Sequence, residues 1–429
     1  MPGLNPREAA HRALQSVLRR RRPLDEVLAG MLGPGGMLAE AAARDRAFAR
    51  LLVTTALRRH GQIEGALAML LERPLPKDAA REHDLLRLGA AQILFLETPA
   101  HAAVAETMRL VRPASRYRGL VNAVLRRLAR EGGSIVAGQD AARLNTLDWL
   151  WQRWCAAYGE DTARRIAEAH LREPPLDITA PDPTRWQHAL SAELLPTGTL
   201  RRKSGGAVDA LPGFDQGVWW IQDAAAALPA RLLGDVAGKT VIDLCAAPGG
   251  KTAQLASAGA DVIAVERSRE RAKRLNENLR RLKLTAATIV ADATAWRPQN
   301  PADAVLLDAP CTATGTLRRH PDAAWLKQPQ DLASMSSAQD KLLDAAHGMV
   351  KRGGMLVYCV CSLEPEEGPQ RVAAFLSRHG DMTRAPITAG DVAGLAELVS
   401  ADGDLRTLPC HLAEQGGMDG FYAARLLRS

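Results

Sequence analysis

Apolar positions in residues 4–131 recur at three- and four-residue spacing, the period of a helix with one buried face. Arg7 to Leu28 carries Ala10, Leu14, Val17 and Leu18 on such a stripe. Asp78 to Glu97 repeats it with Leu85, Leu86, Leu88, Ile93 and Leu94, and Asp78 stands where an N-cap is expected. Ala102 to Leu110 and Arg118 to Leu128 follow, and Glu131-Gly132-Gly133-Ser134 is expected to end the region. Strand alternation is absent, so residues 1–135 read as an all-α domain. Residues 146–173 add two helices, the first with Trp149, Trp151 and Trp154. From Pro174 to Gln222 prolines interrupt short extended pieces. Residues 145–232 therefore read as a small middle domain of α/β type.

From Gly238 the period changes. Short apolar runs at Thr240–Leu244, Asp261–Glu266, Ala287–Val290, Ala304–Asp308 and Gly354–Cys359 alternate with helical stretches at Lys251–Ser257, Arg269–Leu282, Asp331–Val350 and Glu366–Ser377. This alternation predicts a parallel sheet with helices on both faces over 236–429. Ligands of such sheets bind at the carboxyl ends of the strands.

Composition narrows the class. The chain has 429 residues, 47% apolar and 24% charged, which excludes a disordered or collagen-like chain. Aromatics make up only 4%, so the core must be aliphatic. Six cysteines without regular spacing point to a reducing compartment. No apolar run is long enough to span a membrane, and Arg7 and Arg12 are not followed by a secretory core. The expectation is a cytoplasmic protein without membrane contact. The net charge is +7, and residues 1–150 alone carry 23 Lys and Arg against 15 Asp and Glu. That excess includes Arg19 to Arg22 and a cluster from Arg109 to Arg130, and suits a polyanion such as RNA.

The strand tips carry the candidate chemistry. The first is Asp243-Leu-Cys-Ala-Ala-Pro-Gly-Gly-Lys-Thr252, where paired glycines let a backbone approach a ligand and turn into a helix. It is not a phosphate loop: Cys245 stands where that motif needs glycine, and Pro248 removes an amide from its middle. Glu266 ends the second strand, where an acid can accept both hydroxyls of a ribose. Asp292 follows the third strand, Asp308-Ala-Pro-Cys311 the fourth, and Cys359-Val-Cys361-Ser362 the fifth.

These segments, with Gln222-Asp223-Ala224, Arg318-Arg-His-Pro-Asp322, Glu366-Glu367 and Asp419-Gly-Phe-Tyr422, resemble the RNA cytosine-5 methyltransferases of the RsmB/Nop (Nop/Sun) family. Gly119-Leu-Val-Asn-Ala-Val-Leu-Arg-Arg127 in the helical part resembles a NusB-like RNA-binding domain. The resemblance covers most of the chain and is weakest over 174–216. It implies three parts: an all-α NusB-like domain, a small α/β domain, and a Rossmann-like class I methyltransferase domain. It also implies S-adenosyl-L-methionine as cofactor and small-subunit (16S) rRNA as substrate; no residue pattern calls for a metal or a dimer, so no metal and a monomer are expected. The departures are Val360 where relatives often have Thr, Glu266 where they often have Asp, and Leu176-Asp-Ile-Thr-Ala after the double proline.

The resemblance assigns roles. Carbon 5 of cytosine is too poor a nucleophile to take a methyl group until a thiolate adds to carbon 6. Cys361 is expected to be that thiolate and Cys311 to assist release. The reverse assignment follows from analogy with DNA cytosine-5 enzymes, whose nucleophile sits in a Pro-Cys pair. Lys251 and the cofactor's sulfonium favour a thiolate. Asp308 is expected against the cofactor and at the ring nitrogen or exocyclic amine of the base, since an acid accepts from the amine. Glu266 takes the ribose and Asp292 the adenine amine. Cys245, Ala246, Ala247, Pro248, Gly249, Gly250 and Lys251 carry the methionine part. Cys245 and Cys359 also read as small core residues, and a Cys-x-Cys metal site with Cys311 lacks a matching histidine pattern. Arg318, Arg319 and His320 are expected over the site as phosphate contacts. Trp219 and Trp220 suit base stacking or apolar packing equally. The competing reading is an RNA-binding module whose methyltransferase half only senses the cofactor.

Overall fold

A proline decides the first departure from the periodicity. In the computed structural model, which describes residues 5–203 and 206–429, the stripe from Arg7 to Leu28 is two helices, α1 (Pro6–Arg20) and α2 (Leu24–Leu32). Asn5 caps α1 by accepting from the Arg7 amide, and Arg21 closes it in a left-handed conformation at φ 51°. Pro23 lacks the amide that would continue the helix.

Helices α3 (Ala43–Arg58), α4 (His60–Leu70), α5 (Ala80–Phe95), α6 (Ala100–Leu110), α7 (Arg118–Ala137), α8 (Ala141–Leu144), α9 (Asp148–Tyr158) and α10 (Glu160–His170) complete the first of two compact units. Its core is aliphatic, with Leu14, Val17, Leu52, Leu85, Leu86 and Leu125 buried. Asp78 does not cap α5; it lies in a short 3-10 turn and accepts from the Tyr117 hydroxyl at 3.1 Å. The break expected at Gly132-Gly133 is also absent. Helix α7 runs through it because Gly132 serves packing: a Cβ there would meet Leu94 Cδ2 at 2.6 Å.

This first unit extends to Arg172, so the middle domain expected over 145–232 is divided. The reason is packing: α8 contacts both α4 and α10, and Asn145 donates to Gln62 at 3.0 Å. The unit also takes in Leu317–Gln328. Leu24, the first residue of α2, donates its amide to Asp322 at 2.9 Å, and the Arg58 guanidinium donates to the Arg318 carbonyl at 2.9 Å. Trp325 packs on His60 at 4.4 Å, and His320 pairs with Asp25 at 3.3 Å. Arg318 is only 1% exposed, which corrects its expected role as a phosphate contact.

The second unit comprises Glu173–Thr316 and Pro329–Ser429. It opens with a small antiparallel sheet of β1 (Leu176–Thr179), β2 (Glu193–Leu194), β3 (Leu200–Arg202) and β4 (Trp220–Ile221), ordered β2-β3-β1-β4. Arg201 and Asp177 form a buried two-bond pair across it, 2.7 Å on each side. Trp219 and Trp220 are buried, donating to the Pro212 carbonyl and to Gln222, so they pack rather than stack on a base.

The large sheet contains β5 (Thr240–Leu244), β6 (Asp261–Glu266), β7 (Ala287–Val290), β8 (Ala302–Asp308), β9 (Val350–Val360), β10 (Met382–Arg384), β11 (Leu405–Arg406) and β12 (Tyr422–Arg428). Its order is β10-β12-β9-β8-β5-β6-β7, with β11 on the edge of β12. Strands β5 to β9 are mutually parallel, and β12 runs antiparallel to β9. The chain winds outward through β5, β6 and β7, then crosses back to place β8 on the other side of β5. That reversal leaves a crevice at the carboxyl ends of β5 and β8. Among the described residues no helix is long and apolar enough to cross a membrane.

Candidate active site

The register of adjacent strands sets the geometry. Asp308 lies opposite Cys359 across β8 and β9, so Cys311 and Cys361 extend just past the two tips. Their sulfurs are 3.4 Å apart. The Cys311 thiol is raised well above its ordinary range by its hydrogen bond with Cys361, then by burial and the nearby Glu367 carboxylate. Cys359 is buried and donates to Asp308 at 3.5 Å, and burial raises its thiol too. It belongs to the core, as expected.

The two tip loops are fixed by a buried network. Glu367 accepts from the Thr312 amide at 2.9 Å, from the Thr312 hydroxyl, and from Gln339 at 3.1 Å. The Thr312 and Thr314 hydroxyls both lie 3.3 Å from that of Ser362. Gly315 donates to the Cys361 carbonyl at 3.1 Å. A Cβ on Gly315 would sit 1.9 Å from the Gly420 carbonyl oxygen, so only glycine fits where these chains cross. Glu367 had been visible only as part of a family segment without a role. A glutamate two residues after Pro365 is ordinary in sequence; only the pairing of β8 with β9 brings it to Thr312.

A cavity of about 650 Å³ opens between these tips and those of β5, β6 and β7. Cys245, Ala247, Glu266, Asp292, Asp308, Cys311 and Cys361 line it. Ala246, Pro248, Gly249, Gly250 and Lys251 do not; they build the turn behind it. Cys245 holds a left-handed conformation, φ 60°, which costs a side-chain-bearing residue energy, and burial pushes its thiol up to about 12. Gly249, at φ 102°, starts the helix Gly250–Ser257. Arg271 donates to the Ala247 carbonyl at 2.6 Å and Asn278 to that of Pro248 at 2.9 Å, so the helix Arg269–Leu282 clamps the turn from outside.

The ionisable groups at the tips are held differently. Burial alone would lower Lys251, but the Asp308 carboxylate 2.7 Å away outweighs it and raises the ammonium. Glu266 is 3% exposed and accepts from the Ser268 amide at 2.9 Å. Asp292 is exposed, and the Thr294 hydroxyl and amide hold its carboxyl below the usual range. Asp243 is fully buried, bonded to the Thr252 hydroxyl at 2.6 Å, and burial pushes its carboxyl up to about 7. Sequence reasoning had missed the wall formed by Ser334, Ser337 and Lys341, on the helix Asp331–His347.

Comparison with known proteins identifies the family and the fold. A family model described as 16S rRNA methyltransferase RsmB/F matches residues 230–427, and one for the NusB family matches residues 4–130. The ribosomal RNA small subunit methyltransferase B of Cronobacter sakazakii is 33% identical over 99% of both chains. That of Pseudomonas putida is 35% identical, again over 99% of both. Among solved structures, PH0851 superposes with a TM-score of 0.74 over 99% of both chains at 22% identity. NSun6 from Pyrococcus horikoshii, solved with SFG, gives 0.56 over 66% of this chain and 98% of its own, at 20% identity. These two likenesses speak to the fold.

Proposed function

The chain belongs to the RsmB/F family of 16S rRNA methyltransferases, and on that premise we propose that it transfers a methyl group from S-adenosyl-L-methionine to carbon 5 of a cytosine in small-subunit rRNA. The observation that carries the reading is the pair of sulfurs 3.4 Å apart at the mouth of an acid-lined cavity. The cavity lies in the size range of small-molecule sites and offers what the cofactor needs. Glu266 stands at the tip of β6 for the ribose hydroxyls, Asp292 after β7 for the adenine amine, and Cys245 and Ala247 flank the methionine end. Bound there, the cofactor supplies an electrophilic methyl group on a sulfonium sulfur.

The protein's own groups supply the rest. The target base must leave its stack to reach a cavity between strand tips. Cys361 would add as thiolate to carbon 6, and the electron pair of the 5,6 double bond would move to carbon 5, which would take the methyl group as the methyl–sulfonium bond breaks with its electrons left on sulfur. Asp308 accepts from the exocyclic amine of the base while paired to Lys251. The proton on carbon 5 then passes to a base, its bonding electrons restore the double bond, and the Cys361 thiolate leaves. Cys311, whose sulfur lies 3.4 Å from that of Cys361, assists that departure.

The test uses purified protein, methyl-labelled cofactor and RNA from cells lacking the gene. Cys361→Ala should reduce label in 16S rRNA by at least about a thousandfold. Cys311→Ala should instead accumulate a covalent RNA–protein adduct on a denaturing gel. An adduct trapped by Cys361→Ala and not by Cys311→Ala would reverse the two roles. Absence of label from wild type that binds the cofactor would favour the non-catalytic binding module.

A further inference from the structure

At the amino end of β9, across the sheet from the cysteine pair, lies a second cluster of chemistry-bearing groups. His347 ends the helix Asp331–His347, His379 follows the helix Pro369–Arg378, and Asp381 precedes β10. One nitrogen of each imidazole and one Asp381 oxygen lie within 4.8 Å of one another. His347 Nε2 is 2.9 Å from Asp381 Oδ1, and the two imidazole rings are 4.2 Å apart.

The surroundings hold these groups in place. Phe375 is buried beneath them, its ring 4.6 Å from that of His379 and 6.3 Å from that of His347. Asp344 Oδ1 lies 2.8 Å from His379 Nε2 and orients that ring. Arg428 donates to Asp381 Oδ2 at 3.0 Å and to the carbonyls of His347 and Val350 at 2.9 and 2.7 Å. Metal-binding histidines and carboxylates are commonly fixed by such outer partners. Two imidazoles this close repel each other if both are charged, whereas one dication can be shared between the neutral rings.

We propose that His347, His379 and Asp381 form a divalent transition-metal site, with zinc as the fitting ion. Two imidazole nitrogens and a carboxylate oxygen suit that ion, with water as a fourth ligand. Bonds of about 2.0–2.1 Å put tetrahedral ligands about 3.3 Å apart, so the three atoms need only draw together modestly. The ion would clip the ends of two helices to the β10–β12 edge. It has no part in methyl transfer, and the site departs from the sequence-based expectation of no metal.

The test strips the full chain with chelator and titrates it with ZnCl2 in a calorimeter and with Co2+ in a spectrophotometer. Wild type should bind one equivalent, rise in thermal midpoint with Zn2+, and show Co2+ bands without thiolate charge transfer. His379→Ala should weaken that equivalent at least about tenfold with an unchanged circular dichroism spectrum. If that variant does not fold, Asp381→Asn replaces it. A Cys311→Ser/Cys361→Ser double variant should still bind. No binding by wild type, binding unaffected in the cluster variants, or thiolate bands lost with the cysteines would each overturn the proposal.

Discussion

The strand tips of the second unit and the helix surfaces of the first hold their charges in opposite ways. Lys251 and Asp308 meet at 2.7 Å with side chains only 8% and 32% exposed. Arg127 and Glu131 meet at 3.1 Å on α7 with side chains 44% and 42% exposed. The two contacts look alike as distances. Water screens the second, which is worth little, while the first sits where an unpaired charge has no solvent to turn to. A salt bridge at the tips is thus a constraint on the site, and one on the helices mostly keeps an arginine in reserve.

The largest way to break that contrast is Asp308→Asn, which leaves Lys251 buried without its counter-charge. It should cost about 3–5 kcal/mol, read as a lower urea midpoint, and should also weaken cofactor binding. A loss below about 1 kcal/mol would mean that the tip pair behaves like a surface pair. An effect of similar size, spread over pH, follows from Asp243. Its folded carboxyl titrates at about 7 because it is buried, whereas an unfolded Asp titrates near 3.9. Between those values the folded chain binds the extra proton, so this contribution is complete below about pH 4 and fades as pH rises to 7. Its slope is about 1.4 kcal/mol per pH unit. Urea midpoints of wild type against Asp243→Asn across that range should differ in slope, with the variant flatter.

The same contrast explains what could be read from sequence. Strands β5 and β6 matched the periodicity because buried parallel strands are short apolar runs that end at turn residues, and the edge strand β7 kept the same run though its ends are exposed. The ends of β6, β7, β8 and β9 could then be picked out by position as Glu266, Asp292, Asp308 and Cys361. Long-range partners were not legible. Glu367 reaches Thr312 across 55 residues. Leu317–Gln328 joins the helical unit through single contacts such as Asp322 on the Leu24 amide, which no local pattern announces. Gly132 misled for the converse reason: glycine is a local stop signal, yet here it is a contact surface for Leu94.

The smallest expected effect tests the other side of the comparison. Glu131→Gln removes the carboxylate from Arg127, whose guanidinium keeps a bond to the Leu70 carbonyl at 3.2 Å. Folding stability should change by less than about 0.5 kcal/mol, because an exposed pair four residues apart on a helix is worth no more. If the basic helices meet rRNA, the released charge should show in binding instead. Each added phosphate contact steepens the fall of log affinity with log salt by about 0.7–0.9. The variant should therefore bind 16S rRNA slightly tighter at low salt, with the slope steeper by at most one such contact. A stability loss of more than about 1 kcal/mol would mean that this surface pair acts like the buried pair at the tips. An unchanged salt slope would place the rRNA away from this part of α7.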